Sequence, residues 1–142
     1  MLLVPLILIV WRLPDIRLRV IPFFMHMQKR EWAQEAVTKL QAGQAVHVRP
    51  TGSSMHGKVS NGDLVTLEPC HPQDIDAGDV VLARVKGRRH FHLVLHLVME
   101  RRPDAFIIGN NHGRIDGWVT ADNIFGKVTQ VQTSTDEAAA TA

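Results

Sequence analysis

The spacing of apolar and polar residues predicts one short helix followed by a series of strands. From Glu31 to Leu40 the apolar residues recur at helical spacing, and Gly43 is placed to end the helix. Beyond this point, short apolar or alternating runs are separated by Pro, Gly, Asn and Asp, which is typical of strands joined by turns. The predicted strands are residues 45–49, 64–68, 80–85, 90–99, 105–108, 118–119 and 124–131.

Six or seven short strands against one helix favour a mainly β protein over alternating βαβ units. We expect a partly closed, antiparallel β fold with one short N-terminal helix. The 142 residues are enough for one domain with a buried core. The expected organisation is a helical segment over residues 27–45, a β domain over 46–131 and a disordered tail over 132–142.

Residues 1–26 are predicted to be an apolar N-terminal extension. Arg12, Pro14 and Asp15 follow before the roughly 20 apolar residues of a membrane span are complete. No basic segment precedes the apolar run and no small-residue cleavage site follows it, so a signal peptide is not expected. Two interpretations stay open. The segment is either an upstream extension, with the working start at Met25 or Met27, or a short membrane-associating anchor, and the sequence favours the first.

Composition narrows the class of protein. An apolar fraction of 45% with 21% charged residues describes an ordinary globular chain. The net charge is +2 and most basic residues are scattered, so the basic run 84–89 is interpreted as a solvated hairpin tip rather than a nucleic-acid site. The lone Cys70 excludes an internal disulfide and a cysteine-based zinc site. It fits a reducing compartment, and a cytoplasmic location is expected, with weak membrane association through residues 1–24 as the alternative.

A Gly-Ser-Ser turn follows the first predicted strand. Gly52, Ser53 and Ser54 are small and flexible, and such a turn can present one hydroxyl at the edge of a sheet. Ser54 is therefore the first candidate for a nucleophile. The same composition also fits a surface loop with no chemistry, because Ser, Gly and Asn are ordinary turn residues.

Three histidines occupy one face of the strand predicted over residues 90–99. Because side chains alternate along a strand, His90, His92 and His96 are expected to point the same way. One interpretation is a metal site, since neutral imidazole suits Zn, Cu or Ni. A second assigns His96 alone as a general base for Ser54. A third treats all three as half-exposed strand residues.

Three aspartates are also candidates for a role. Asp63 and Asp79 each follow a glycine directly before an apolar strand, where a carboxylate commonly binds turn amides, so both are interpreted as structural. Asp116 falls in a polar, glycine-rich segment, 109–117, that is predicted to be a loop. There it could orient a histidine and stabilise its charged form, or it could form an ordinary Asx turn.

Several motifs occur together in one order along the chain. They are Gly-Ser-Ser-Met at 52–55, Gly-Asp at 62–63, Asp-Ala-Gly-Asp-Val-Val at 76–81, His-Leu-Val at 96–98, Gly-Asn-Asn at 109–111 followed by Asp116, and Ile-Phe-Gly-Lys-Val at 124–128. In this order and spacing they resemble the boxes of the signal peptidase and LexA-like serine peptidase superfamily. The resemblance covers about residues 46–131.

The resemblance implies a serine endopeptidase of the Ser-His type that processes a peptide or protein substrate without a cofactor. It implies Ser54 as nucleophile, His96 as general base and Asp116 as the acidic third residue. Backbone N–H groups of the turn formed by Gly52, Ser53 and Ser54 are expected to stabilise the oxyanion. Neither a metal ion nor nucleic acid is expected.

The chain also departs from the family pattern. Gly57, Leu97 and Asn110 stand where the family usually has Pro, Arg and Asp. The long insertion and the proper membrane anchor of the secretory signal peptidases are not expected here, so a compact processing peptidase is favoured. The alternative is a catalytically degenerate relative that binds peptides or proteins.

Overall fold

The computed structural model describes residues 31–133, which form one helix and a seven-stranded sheet. The elements are α1 (31–41), β1 (Val46–Val48), β2 (Leu64–Glu68), β3 (Val80–Lys86), β4 (Phe91–Arg101), β5 (Phe106–Gly109), β6 (Ile115–Val119) and β7 (Ile124–Gln132). Their order in the sheet is β1-β2-β7-β3-β4-β5-β6, and every neighbouring pair is antiparallel. The predicted mainly antiparallel β fold with one short helix is confirmed. Instead of the predicted partial closure, the sheet is open, with β1 and β6 as its two edges.

The predicted segment boundaries are only partly covered by the described residues. Contacts divide the chain into a unit that ends at Trp32 and one that begins at Ala33, and the whole sheet belongs to the second unit. The apolar extension predicted over residues 1–26 lies outside the described residues, as does the tail predicted over 132–142 except for its first two positions. The first of these, Gln132, is the last residue of β7. No helix within residues 31–133 is long and apolar enough to cross a membrane.

Helix α1 ends where the sequence predicts, at Gly43. The N–H of Gln44 donates to the carbonyl of Lys39 and the N–H of Gly43 to that of Leu40, each at 3.0 Å. This pair of bonds requires left-handed backbone at Gly43, whose φ is +80°. Leu40, one turn earlier, packs on Gly126 of β7, where an added Cβ would lie 2.9 Å from both Leu40 methyl carbons. The helix therefore covers the sheet at β7.

The sheet curls so that β6 approaches β3, although β4 and β5 lie between them in the order. A Cβ added at Gly117 in β6 would lie 3.2 Å from a methyl carbon of Val85 in β3. The concave side of this curl encloses a cluster of buried residues, Ile75, Val81, Ala83, Val85, Val98, Phe106, Ile108 and Val119. Burial of each larger aliphatic or aromatic member stabilises the fold by about 1.5–3 kcal/mol.

The largest difference from the predicted strands is at β6. This strand begins at Ile115, inside the segment 109–117 that the sequence predicts to be a loop. Asp116 is thus a strand residue, and the loop prediction for it is wrong. The physical reason is a β-bulge, since Gly109 pairs with Ile115 while Ile108 pairs with Gly117. The extra residue and the polar composition hide the strand pattern.

Asp63 and Asp79 bind turn amides, as their positions before strands predict. The Asp63 carboxylate accepts the N–H of Ser60 at 2.8 Å, and Asp63 is 5% exposed. The Asp79 carboxylate accepts the N–H of Asp76 at 2.8 Å and pairs with the Lys127 ammonium at 3.3 Å. Each carboxylate stabilises the turn that leads into its strand, and these contacts are of the kind that the structural interpretation predicts.

Candidate active site

Ser54 lies in the turn that connects β1 to β2. The turn is compact because the N–H of His56 donates to the carbonyl of Ser53 at 3.1 Å and the N–H of Val59 to that of Met55 at 2.9 Å. Met55 and Val59 are buried and anchor the turn, whereas Ser54 is half-buried. Within residues 31–133, the N–H groups of Gly52, Ser53 and Ser54 donate no hydrogen bond. These three donors are free to bind an anionic oxygen.

His96 lies in the middle of β4, on the concave side of the sheet. It pairs in register with Val81 of β3, a member of the buried cluster, and its side chain is 14% exposed. The Nε2 atom of His96 lies 3.0 Å from Oγ of Ser54. The imidazole is therefore held by a rigid strand and lies within hydrogen-bond reach of the candidate nucleophile.

Asp116 is the extra residue of the bulge in β6. Its carboxylate Oδ2 lies 2.5 Å from Nδ1 of His96, and its side chain is 19% exposed. A bulge turns a side chain out of the regular alternation of its strand, and bulges are common beside active sites for that reason. The structure thus brings the three residues nominated from the sequence, Ser54, His96 and Asp116, into one line of hydrogen bonds.

The geometry of this line sets the positions of its protons. An ionised carboxylate only accepts hydrogen bonds, so the Nδ1 atom of His96 carries the proton that Asp116 binds. The Nε2 lone pair then faces the Ser54 hydroxyl, which donates to it. A serine, a histidine and an aspartate in this arrangement form a triad of the kind recognised by geometry rather than by sequence position.

The turn between β1 and β2 that contains Ser54, here called the serine turn, is held by three hydrogen bonds from the connection between β5 and β6. The backbone N–H of Asn111 donates to the carbonyl of Ser54 at 3.0 Å, and its side-chain amide donates to the carbonyl of His56 at 2.8 Å. The Nε2–H of His112 donates to the carbonyl of Ser53 at 3.0 Å. Asn111 and His112 thus fix the backbone on both sides of the candidate nucleophile.

These two positioning residues were not predicted individually from the sequence. The available signal was the Gly-Asn-Asn motif at 109–111, which predicts no contact for Asn111, and His112 belongs only to the predicted loop. Their hydrogen-bond partners lie 55 and 59 residues away in the chain, so only the folded sheet brings them together.

The three departures from the family pattern have local structural explanations. Gly57 has a φ of +96°, which proline cannot adopt because its ring fixes φ near −65°. Leu97 alternates with His96 along β4 and so faces away from the site. The Asn110 side-chain oxygen accepts the N–H groups of His112 and Arg114, each at 3.0 Å, and shapes the connection to β6.

The predicted face of three histidines is not realised as a cluster. His92 and His96 share a face of β4, but His90 precedes the strand and its carbonyl accepts the N–H of Gly87 at 2.9 Å. The ring of His92 packs against Gly87, away from Ser54. Among residues 31–133, no group of three or more His, Cys, Asp or Glu side chains is arranged to hold a metal ion.

Comparisons with known proteins return no relative of this chain. No family model matches it, and neither a curated protein nor a solved structure is significantly similar to it. The resemblance to the signal peptidase and LexA-like superfamily thus rests on the motifs themselves, and the function is inferred from the arrangement of Ser54, His96 and Asp116.

Proposed function

We propose that this protein is a serine endopeptidase, a compact relative of the signal peptidases and LexA-like peptidases that processes a peptide or protein substrate. The observation that carries the proposal is the line of two hydrogen bonds, 3.0 Å from Ser54 to His96 and 2.5 Å from His96 to Asp116. A nucleophile within reach of a base that is itself oriented by a third group is the arrangement required for covalent catalysis.

In the first half of the reaction, Ser54 Oγ attacks the carbonyl carbon of a peptide bond while His96 Nε2 takes the hydroxyl proton. The new C–O bond forms a tetrahedral intermediate, and Asp116 stabilises the imidazolium. His96 then gives its proton to the leaving amine as the C–N bond breaks. The product is an ester between Ser54 and the N-terminal part of the substrate.

In the second half, water attacks the ester and His96 takes a proton from it. Cleavage of the ester bond releases a carboxylic acid, and the proton returns to Ser54. In both halves the intermediate oxyanion needs donors, and the N–H groups of Gly52, Ser53 and Ser54, which donate no hydrogen bond within residues 31–133, are the backbone candidates in the same turn. Loss of one such donor lowers kcat by about 10²–10³-fold in serine peptidases.

The positions of the other motifs support the same proposal. The Gly-Asp and Asp-Ala-Gly-Asp motifs stabilise the turns before β2 and β3, and Gly-Asn-Asn forms the connection that holds the serine turn. Each motif therefore acts on the framework around Ser54 or His96. A cytoplasmic location, which the single Cys70 fits, is part of the proposal.

A covalent probe tests the nucleophile directly. A fluorophosphonate transfers its phosphonyl group to an activated serine with loss of fluoride, and we expect it to label the wild-type protein at Ser54, as located by mass spectrometry of the digested protein. Ser54→Ala should abolish labelling. Ser60→Ala is the matched control, since Ser60 lies at the end of the same turn and its hydroxyl makes no contact with His96 or Asp116, so this variant should label normally.

Digestion of a mixed pool of denatured proteins tests peptide-bond cleavage. New termini that appear with the wild type and not with Ser54→Ala are the expected result. If no such termini appear but the Ser54→Ala protein retains affinity for a peptide, the chain is a binding module and the proposed hydrolysis is wrong.

A further inference from the structure

A groove of about 720 Å³ adjoins the candidate triad on the side of Asp116. It lies between the β3–β4 turn and the start of β6. Its lining includes Lys86 from the end of β3, Arg88 from the turn and Arg114 from the connection before β6. The one carboxylate in the lining is that of Asp116, which is already hydrogen-bonded to His96.

The three cationic side chains of the groove have no anionic partner in the part of the chain that the structure describes. Lys86, Arg88 and Arg114 make no ion pair there, whereas Arg101 and Arg102, at the other end of β4, pair with Asp76 and Glu100. Positive charges gathered around a concavity attract anions and repel cations. The groove is thus suited to a negatively charged group.

The groove lies close to the reacting serine. Ser54 Oγ is connected to Asp116 by hydrogen bonds of 3.0 and 2.5 Å and one imidazole ring between them. An extended peptide advances about 3.3–3.6 Å per residue. A side chain in the groove would therefore belong to a residue roughly two or three positions from the bond under attack.

We propose that this groove binds an Asp or Glu side chain of the substrate and gives the enzyme a preference for acidic residues near the cleaved bond. The role in cleavage rests on the proposed function, whereas binding of the acidic side chain does not. The carboxylate contacts the guanidinium groups of Arg88 and Arg114, and Arg forms the planar, bidentate contact that suits a carboxylate.

A peptide fits the groove better than a nucleic acid does. The lining combines the three cations with apolar side chains, Val85, Val94 and Ile115, which can contact the stem of an amino-acid side chain. Nucleic-acid sites instead extend over several basic clusters on one face. A single concave cluster beside a triad matches one acidic residue of an extended chain.

The cleavage experiment compares wild type with an Arg88→Glu/Arg114→Glu double variant on the same pool of denatured proteins. In the wild type, Asp and Glu should be enriched several-fold at one position within about three residues of the cut. The double variant should lose this enrichment and still cut neutral sites. Arg89→Glu is the matched control, because Arg89 lies in the same turn outside the groove lining, and it should keep the enrichment. If the wild type shows no enrichment but its cleavage still depends on Ser54, the groove assignment is refuted and the proposed peptidase activity is supported.

The binding experiment uses Ser54→Ala protein and two fluorescent peptides that differ only by Glu against Gln. The Glu peptide should bind about fivefold to tenfold more tightly at low salt, and this preference should disappear in the triple variant that also carries both groove substitutions. If the preference depends on the groove but no Ser54-dependent cleavage is found, the groove assignment is supported and the proposed peptidase activity is refuted. Equal affinity for both peptides, or tighter binding of single-stranded DNA at the same site, overturns the assignment.

Circular dichroism identifies misfolded variants, and Arg114→Glu alone replaces the double variant if that one does not fold.

Discussion

The carboxylate of Asp116 lies 2.5 Å from Nδ1 of His96, although β5 separates their strands in the sheet. The bulge at Asp116 makes this contact possible, since it adds a residue to β6 opposite the end of β5. The carboxylate fixes the ring of His96 with Nε2 toward Ser54. The candidate base is therefore already oriented toward the candidate nucleophile in this structure.

Asp116→Asn should lower kcat for peptide cleavage by about 10²–10⁴-fold. The asparagine amide can donate to Nδ1, which favours the tautomer with its proton on Nε2 and removes the acceptor that Ser54 needs. KM should change little, because Asp116 acts through His96. Asp122→Asn is the control and should retain wild-type rates, because Asp122 is an exposed residue of the single 3-10 turn Ala121–Asn123 that precedes β7. Unchanged kcat in Asp116→Asn would refute the role assigned to the bulge.

Ser54→Ala and His96→Ala should each abolish cleavage, and the double variant should be no worse than either single one. Residues that act as one unit show this non-additivity. The measurement is the initial rate on one defined peptide, with the thermal unfolding midpoint as evidence that the sheet is intact. Additive losses would mean that the two side chains act independently.

Asn111→Ala should lower kcat by roughly threefold to tenfold and reduce the unfolding free energy by about 0.5–1.5 kcal/mol. It removes the 2.8 Å bond to the His56 carbonyl but keeps the backbone bond to Ser54. The serine turn is then held less firmly, so the effect should fall on kcat rather than KM. Asn111→Asp lacks the same donor and also places a carboxylate against the His56 carbonyl, so it should be more damaging than Asn111→Ala. Asn61→Ala, in the exposed turn before β2, should leave both kinetic parameters unchanged.

A comparison of Gly57→Ala with Gly43→Ala separates the effect of backbone strain on stability from an effect on the candidate active site. Both positions have positive φ, +96° and +80°, so each substitution should destabilise the fold by about 1–2 kcal/mol. At Gly57 the new Cβ would lie 3.3 Å from the Asn111 side-chain nitrogen, whereas at Gly43 it meets open space. Only Gly57→Ala should therefore slow cleavage in protein that is still folded. Equal cleavage rates in the two variants would show that Gly57 does not help to position Ser54.

Cys70 gives a prediction about pH. Burial raises the pKa of its thiol above the ordinary value, with the nearby Lys127 ammonium opposing the shift. The folded protein should therefore be alkylated by iodoacetamide more slowly than the urea-unfolded chain at mildly alkaline pH, since less thiolate is present. The chain has one cysteine, so Cys70→Ala supplies the background.

The same shift in pKa predicts a stability effect with a definite sign. Because folding favours the neutral thiol, its contribution is complete below the pKa of the unfolded chain and is lost as pH rises through the higher pKa of the folded protein. The unfolding midpoint of the wild type should thus fall more steeply in this alkaline range than that of Cys70→Ala. Parallel curves would show that Cys70 does not titrate differently in the two states.

The sequence was sufficient for features that depend on local pattern. The alternation along β4 predicted that His92 and His96 share a face, and the glycine at position 43 marked the end of α1. Local pattern could not reveal that Asp116 lies in a strand, because a bulge interrupts the period on which strand prediction depends. Nor could it assign Asn111 to the carbonyl of His56. That hydrogen bond depends on the relative placement of two turns, which only the complete sheet determines.

The place of β7 in the sheet also determines when the candidate triad can exist. Ser54 follows β1, whereas His96 and Asp116 belong to β4 and β6, and β7 is the strand that joins these two halves. A ribosome-bound chain that has not yet extended β7 has both halves of the site but lacks the strand that pairs with both β2 and β3. In such a nascent chain Ser54 is not yet held by a complete sheet, so the candidate triad is completed only after β7 has joined its two neighbours.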